Sequence, residues 1–150
     1  MLDSANRIIG LTVSGGWGGL VTGSGRINVR YGYFIKDKLL LGPDLNYGFI
    51  GTYYQSGEAG PFIRYYLINR SFSPILEGGY HYRWTRLSSI SSTFSYVNHD
   101  INGNVGFAIT GLVNNQFGLE TLLNYQMAFD KFGYTYYKWG FTFSVTYHFK

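Results

Sequence analysis

Large apolar residues alternate with small or polar residues along most of the chain. The clearest case is residues 139–149, where every second position from Trp139 to Phe149 is large and apolar, and Gly, Thr, Ser and His fill the positions between. A period of two places successive side chains on opposite faces of a β-strand. The stretch therefore predicts a strand with one apolar face and one polar face.

The same alternation recurs in seven further segments. Pro43 falls inside one of them, and because proline has no N–H to give to the sheet, we expect a β-bulge there. The alternation predicts an all-β chain that forms an eight-stranded antiparallel up-and-down transmembrane β-barrel, with residues 1–150 as its single domain. The predicted strands are residues 9–17, 27–35, 39–49, 62–67, 75–84, 101–110, 117–127 and 139–149.

The connections between these segments alternate in length. Short turns are predicted at residues 36–38, 69–71 and 114–115, and long loops at residues 18–25, 54–60, 87–98 and 130–137. Outer-membrane barrels have short periplasmic turns and longer extracellular loops. We therefore expect a bacterial outer-membrane location, with the termini in the periplasm and the long loops outside the cell.

Charged positions indicate which face of the barrel is inside. In the predicted strands the charges occupy only the polar face, and His81 shares that face. A soluble barrel such as a lipocalin would turn its apolar face inward, but the aromatic residues of eight strands would not fit an eight-stranded lumen. We therefore expect the apolar face to contact lipid. The expected interior ionic network consists of Arg30, Asp44, Arg64, Glu77, His81, Arg83 and Glu120.

This network suggests a plugged interior. We expect Arg64 and Arg83 to share Glu77, Asp44 or Glu120 as partners, because an unpaired charge in a narrow lumen is costly. A conduction pathway is the less favoured alternative.

Outward aromatic residues are predicted to form two bands, because Tyr and Trp prefer the interface between membrane and water. The expected interface residues are Trp17, Tyr33, Tyr65, Tyr82, Trp84, Tyr125, Trp139, Tyr147 and Phe149.

Composition agrees with a membrane barrel and excludes other classes. Charged residues make up 13% and aromatic residues 20% of the chain, which has no Cys. The mean hydropathy of −0.06 and the lack of an 18-residue apolar run exclude a transmembrane helix. The net charge of +4 does not predict nucleic-acid binding, because the basic residues are scattered.

No export signal precedes residue 8, so we expect a mature chain to which Met1 has been added.

Three segments carry a family resemblance. They are residues 34–48, FIKDKLLLGPDLNYG, residues 60–67, GPFIRYYL, and residues 76–82, LEGGYHY. They resemble the small outer-membrane β-barrel domains of Bacteroidota, and the layout is similar to OmpX and the membrane domain of OmpA. The resemblance covers residues 27–85 and otherwise rests on layout. It implies a membrane barrel and little about activity.

Residues that could carry chemistry are few. His99 and Asp100, at the mouth of a predicted loop that also holds Ser88, Ser89, Ser91 and Ser92, are the only pair that suggests a lipid-A-modifying enzyme. Loop polarity explains them more simply, so we predict no enzyme, no catalytic or metal-binding residue and no cofactor.

Two functional hypotheses follow. The first is a structural or surface-interaction barrel whose loops, residues 87–98 and 130–137, contact proteins or lipopolysaccharide. The second is an accessory subunit of a larger outer-membrane complex, packed through a flat patch at Gly78, Gly103 and Gly111.

Overall fold

The chain folds almost entirely into β-strands. The computed structural model describes residues 7–18, 21–68, 70–88, 92–130 and 135–149. The elements are β1 Arg7–Gly18, β2 Val21–Lys36, β3 Leu39–Ile50, β4 Tyr54–Tyr66, β5 Phe72–Ser88, β6 Thr93–Gly111, α1 Leu112–Gln116, β7 Phe117–Asp130 and β8 Thr135–Phe149.

Each strand is antiparallel to the next along the chain, and β8 returns to β1 to close the barrel. The prediction of an eight-stranded antiparallel up-and-down barrel is confirmed. No helix of the described residues is long and apolar enough to cross a membrane. We call the end at which β1 begins and β8 finishes the terminal end, and the opposite end the far end.

Side chains alternate across the wall as the sequence pattern indicates. On β4, for example, Phe62, Arg64 and Tyr66 are buried inside, whereas Ile63 and Tyr65 are exposed outside. The interior also holds a group of apolar side chains near the terminal end, which we call the apolar cluster. Its buried members are Ile8, Leu40, Phe62, Tyr66, Ile75, Ala108 and Leu122, with Phe34 packed against them.

The four predicted long loops are wrong, because the strands continue through them. β2 begins at Val21, β4 at Tyr54, β6 at Thr93 and β8 at Thr135. These stretches mix small and polar residues with scattered apolar ones such as Leu87 and Phe94, so the alternation is too irregular there to mark a strand. At the terminal end, the turn at residues 114–115 lies within α1, and Asn69 of the turn predicted at residues 69–71 is outside the described part. Loop length therefore no longer distinguishes the two ends.

The bulge expected at Pro43 is also wrong. The pairs Arg30↔Asp44 and Tyr33↔Leu41 have the same register, so no residue is inserted between them. Pro43 lies opposite Pro61 of β4. Beside it, a Cβ on Gly42 would overlap the carbonyl oxygen of Tyr31, so the glycine permits a close approach of β2 and β3 without a bulge.

Candidate functional site

The inward face of the barrel carries a set of paired charges. Successive strands each contribute to it, because only alternate positions project into the lumen. The ion-paired Arg, Asp and Glu side chains of the described residues that meet there are Arg26, Arg30, Asp44, Glu58, Arg64, Glu77, Arg83, Asp100 and Glu120.

A first group of these charges lies next to the apolar cluster; we call it the terminal-side group. At its centre, the Nη2 atom of Arg64 is 2.6 Å from Oε2 of Glu77, and Nη1 donates to Oε1 of Glu120 at 2.6 Å. Arg30 joins the group, because its Nη1 lies 2.8 Å from Glu77 Oε2 and its Nη2 lies 3.0 Å from Asp44 Oδ2. The group is thus a continuous alternation of cations and anions.

Strand register explains most of this group. Arg64 and Glu77 are direct neighbours across β4 and β5, and Arg30 and Asp44 are direct neighbours across β2 and β3. Glu120 instead comes from β7, so its contact with Arg64 crosses the lumen. That contact joins walls that share no backbone pairing.

Neutral side chains donate to two of the carboxylates of this group. Asn104 donates to Glu77 Oε1 at 2.6 Å, and Asn28 donates to Asp44. Hydrogen bonds of this kind offset the cost of burying a charge.

A second group, the far-side group, lies nearer the far end. Glu58 receives hydrogen bonds from Arg26 Nη2 and Arg83 Nε, both at 2.8 Å. The Nη2 atom of Arg83 also lies 2.7 Å from Asp100 Oδ2. Between the two groups, His81 Nε2 lies 3.5 Å from Asp44 Oδ2. The charges therefore form two ion-paired layers with a histidine between them.

Exposure of the arginines rises towards the far end. The side-chain exposure is 0% for Arg64, 12% for Arg30, 16% for Arg83 and 37% for Arg26. The lumen is therefore driest beside the apolar cluster and wettest at the far end. Electrostatic contacts are strongest where water is excluded.

An aromatic ring connects the apolar cluster to the charges. The Phe62 ring lies 4.6 Å from the guanidinium carbon of Arg30 and 5.9 Å from that of Arg64. A cation over an aromatic face is attracted by the ring quadrupole. Phe62 therefore packs simultaneously with both parts of the interior.

The sequence-based partners match the structure in part. Arg64 contacts Glu77 and Glu120, as expected, but Arg83 contacts Glu58 and Asp100 instead. Arg26, Glu58 and Asp100 were missed because they stood in or beside the predicted loops. The period of two carries the signal: continued past the predicted strand ends, it places all three on inward positions.

Outward aromatic side chains lie near both ends of the wall. Near the terminal end, Phe117 and Tyr147 are in contact, with ring centroids 5.2 Å apart. Towards the far end, Tyr125 contacts Trp139 at 4.6 Å. The side chain of Trp17 lies outside the described part. Of the other expected interface residues, Tyr33, Tyr65, Tyr82, Trp84, Trp139 and Tyr147 are exposed, and Tyr125 and Phe149 are half-buried.

The candidate catalytic pair is not brought together. Asp100 is fully buried in the lumen, whereas His99 is exposed on the outer face, where its Nδ1 lies 2.5 Å from the Tyr80 hydroxyl. Neighbouring residues of a strand point to opposite faces, so the pair cannot act as one acid–base unit. Within the described ranges, no group of three or more His, Cys, Asp or Glu is arranged to hold a metal ion.

Solved structures share this architecture. The N-terminal β-barrel domain of Pseudomonas aeruginosa OprF superposes with a TM-score of 0.73 at 15% identity, over 97% of this chain and 98% of that one. Neisserial surface protein A (NspA) superposes with a TM-score of 0.68 at 10% identity, over 95% of this chain and 94% of that one. The fold is that of an eight-stranded outer-membrane barrel. No known protein-family model matches the sequence, and no curated protein does.

The contribution of the buried Arg64–Glu120 ion pair to stability can be tested by substitution. Arg64→Gln leaves Glu77 and Glu120 short of a buried partner, so we expect the free energy of unfolding to fall by about 3–5 kcal/mol. Adding Glu120→Gln removes one orphaned charge, so the double variant should be more stable than Arg64→Gln alone. Urea unfolding in detergent, followed by the gel mobility of the folded form, measures both.

Arg86→Gln is the matched control. Arg86 is exposed on β5, and its loss should change stability by less than about 0.5 kcal/mol. Equal effects at Arg64 and Arg86 would contradict a structural role for the buried contact.

Proposed function

We propose that this chain is an integral outer-membrane β-barrel with lipid on its outer surface and a plugged polar interior. The observation that carries the proposal is the polarity of the wall. Apolar and aromatic side chains are exposed outside on all eight strands, whereas charged side chains are buried inside in ion pairs. A soluble barrel has the reverse arrangement, and a large exposed apolar surface requires a cover.

Lipid contact can be tested with a charge on the outer face. Val105 is outward and exposed in the middle of β6. Val105→Arg should lower the free energy of unfolding in lipid vesicles by about 2–4 kcal/mol, because a cation is costly near the bilayer midplane.

Ser95→Arg places the same charge on the same face of β6 near the far end. There we expect a loss of about 0–1 kcal/mol. If both substitutions cost equally little, the outer face does not contact hydrocarbon.

The plug is supported by the order of the interior layers. The apolar cluster fills the terminal side of the lumen, and the terminal-side group lies directly on it. An ion that crossed the barrel would have to separate buried pairs and then pass an apolar constriction, and both steps are costly. We therefore propose a barrel with no steady conductance.

Planar-bilayer recordings test the plug. The unmodified chain should show no steady conductance, and a steady open current from it would contradict the proposal. The variant Phe62→Ala/Tyr66→Ala removes two inward rings and should introduce a conductance. Ile63→Ala/Tyr65→Ala alters the outward positions of the same strand and should leave the barrel closed.

We propose that the terminal end faces the periplasm and the far end faces the cell exterior. In support, the interior is driest at the terminal end and more water-exposed at the far end. There the β5–β6 pairs continue to Ser88↔Thr93, past Asn98↔Asp130, which is the last β6–β7 pair among the described residues. A barrel that meets partners outside the cell would use such a projecting hairpin.

Labelling of intact cells checks this orientation. The chain has no Cys, so single cysteines can be introduced at exposed turn positions on each end. A membrane-impermeant maleimide should label Thr52→Cys at the far end but not Asp37→Cys at the terminal end. The reverse pattern would invert the assignment.

The role that we propose is structural or surface-interacting rather than catalytic. The far-end hairpins carry exposed aromatic side chains such as Tyr53 and Phe94, suited to contact with proteins or lipopolysaccharide.

The resemblance over residues 27–85 supports membership of the Bacteroidota barrel domains, and we propose that membership on those motifs alone.

An accessory role in a larger outer-membrane complex is a second candidate. Gly78 and Gly103 pair with one another on the outer face, and a Cβ on Gly103 would meet no atom within 4 Å. The barrel itself therefore does not require a glycine there, whereas the close approach of another membrane protein would. Gly111 adjoins α1, where its surroundings are outside the described side chains.

A further inference from the structure

Acidic and basic residues are divided unequally between the lumen and the outside of the barrel. The chain has eight Asp and Glu residues. Five of them are buried in the lumen in ion pairs: Asp44, Glu58, Glu77, Asp100 and Glu120. Asp3 and the side chain of Asp130 are outside the described part. Among the described residues, Asp37 is therefore the one carboxylate that can balance the basic side chains outside the lumen.

Four basic residues outside the lumen lie at the terminal end. Arg7 begins β1, Lys36 and Lys38 flank Asp37 where β2 turns into β3, and Arg70 lies in the β4–β5 turn. Three of them are exposed, and Lys38 is half-buried. None of the four forms an ion pair with a described residue. Four cations and one carboxylate give this end a formal net charge of +3 among the described residues, and we call the four cations the basic rim.

Outward aromatic side chains place the basic rim at the depth of lipid headgroups. Arg7 is paired with Tyr33 on one side and with Phe149 on the other. Arg70 precedes the exposed Phe72 by two residues. Aromatic residues of a membrane barrel form girdles at the interface between membrane and water, and the long stems of Arg and Lys lie along apolar surface while their charged heads stay in water. The charges of the rim are therefore held just outside the aromatic girdle.

The basic rim also follows the perimeter of the wall. Its members stand at β1, at the β2–β3 turn and at the β4–β5 turn, and these strands are neighbours in the closed barrel. The next connection, α1, has the sequence LVNNQ and carries no charge, and its Leu112 and Val113 are exposed. A row of charges along the wall, at headgroup depth, meets the lipids that surround the barrel. A compact soluble partner would instead meet a single patch.

We propose that the basic rim binds anionic phospholipid headgroups in the leaflet at the terminal end, a site that rests on the membrane location proposed above. Charge complementarity carries the inference. Arg7 and Arg70 can each donate two parallel N–H bonds to a phosphate, and the two Lys ammonium groups attract it as point charges. A zwitterionic headgroup brings a cation of its own, which offsets this attraction. An anionic headgroup brings none.

The preference can be measured with the barrel in phosphatidylcholine vesicles that contain a trace of lipid spin-labelled on an acyl chain. Electron paramagnetic resonance separates lipid in contact with the protein from bulk lipid, and so compares the association of phosphatidylglycerol with that of phosphatidylcholine. One cation near an anionic surface strengthens binding about fivefold. Because the rim covers about half the perimeter of one leaflet, we expect an average preference for phosphatidylglycerol of about twofold.

Removal of the charges should remove the preference. Arg7→Gln/Lys36→Gln/Lys38→Asn/Arg70→Gln should lower the ratio to about one, and Asn suits position 38, where φ is 67°. Arg7→Lys/Lys36→Arg/Arg70→Lys keeps the charges and should keep the preference. Arg86→Gln removes an exposed cation of β5 near the far end and should leave most of it.

Salt gives a second test that needs no substitution. At about 1 M NaCl the Debye length is about 3 Å, so the preference of the unmodified chain should fall to about one. A preference that persists in high salt, or in the folded, heat-modifiable variant without the four charges, would overturn the basic rim as its source.

The spectra also separate this site from the membrane location on which it rests. Equal association of both lipids with the unmodified chain would overturn the anionic-lipid site and leave the membrane barrel in place. A folded barrel with no contact lipid of either kind would overturn the membrane location, and the site with it.

Discussion

The interior of the barrel depends on the pairing of Arg64 with Glu77 and Glu120. The Arg64 side chain is fully buried, and a guanidinium withdrawn from water is tolerated only when carboxylates neutralise it and accept its N–H groups. The neighbours of Arg64 on β4, Ile63 and Tyr65, point the opposite way. The alternation that brings the charge inside thus leaves an apolar side chain outside on either side of it. One pattern sets both the charged lumen and the apolar surface.

The interior is graded along its axis, and the gradient follows from the order of residues on each strand. On β4, Tyr66 and Phe62 belong to the apolar cluster near the terminal end, Arg64 lies between them, and Glu58 follows towards the far end. The exposure of the arginine side chains rises in the same direction, from 0% for Arg64 to 37% for Arg26, because the apolar cluster excludes water from the terminal end. The terminal-side group is therefore shielded from water, whereas Arg26 of the far-side group is exposed to it.

Strand number, strand direction and the inward or outward assignment of most side chains could be predicted from the sequence. These follow from a period of two, which survives in every strand. Strand ends could not be predicted. At residues 93–98, TFSYVN, the aromatic residues occupy the positions in phase with the inward Asp100, so hydrophobicity no longer marks the outer face. Asp100 was therefore separated from the strand that delivers it to Arg83. Contacts across the lumen, such as that of Glu120 with Arg64, depend on the diameter of the closed wall, which no local pattern encodes.

Closure is the step that local sequence supports least. Each of the other seven pairings joins strands that are consecutive in the chain, whereas β1 and β8 come from opposite ends of it, and such a long loop carries a larger entropic cost of closure. The pairing of these two strands coincides with the apolar cluster: Ile8 belongs to the cluster and lies opposite the buried His148. Burial at the terminal end thus joins the two ends of the chain, where the pairs run from Arg7↔Phe149 to Leu11↔Val145.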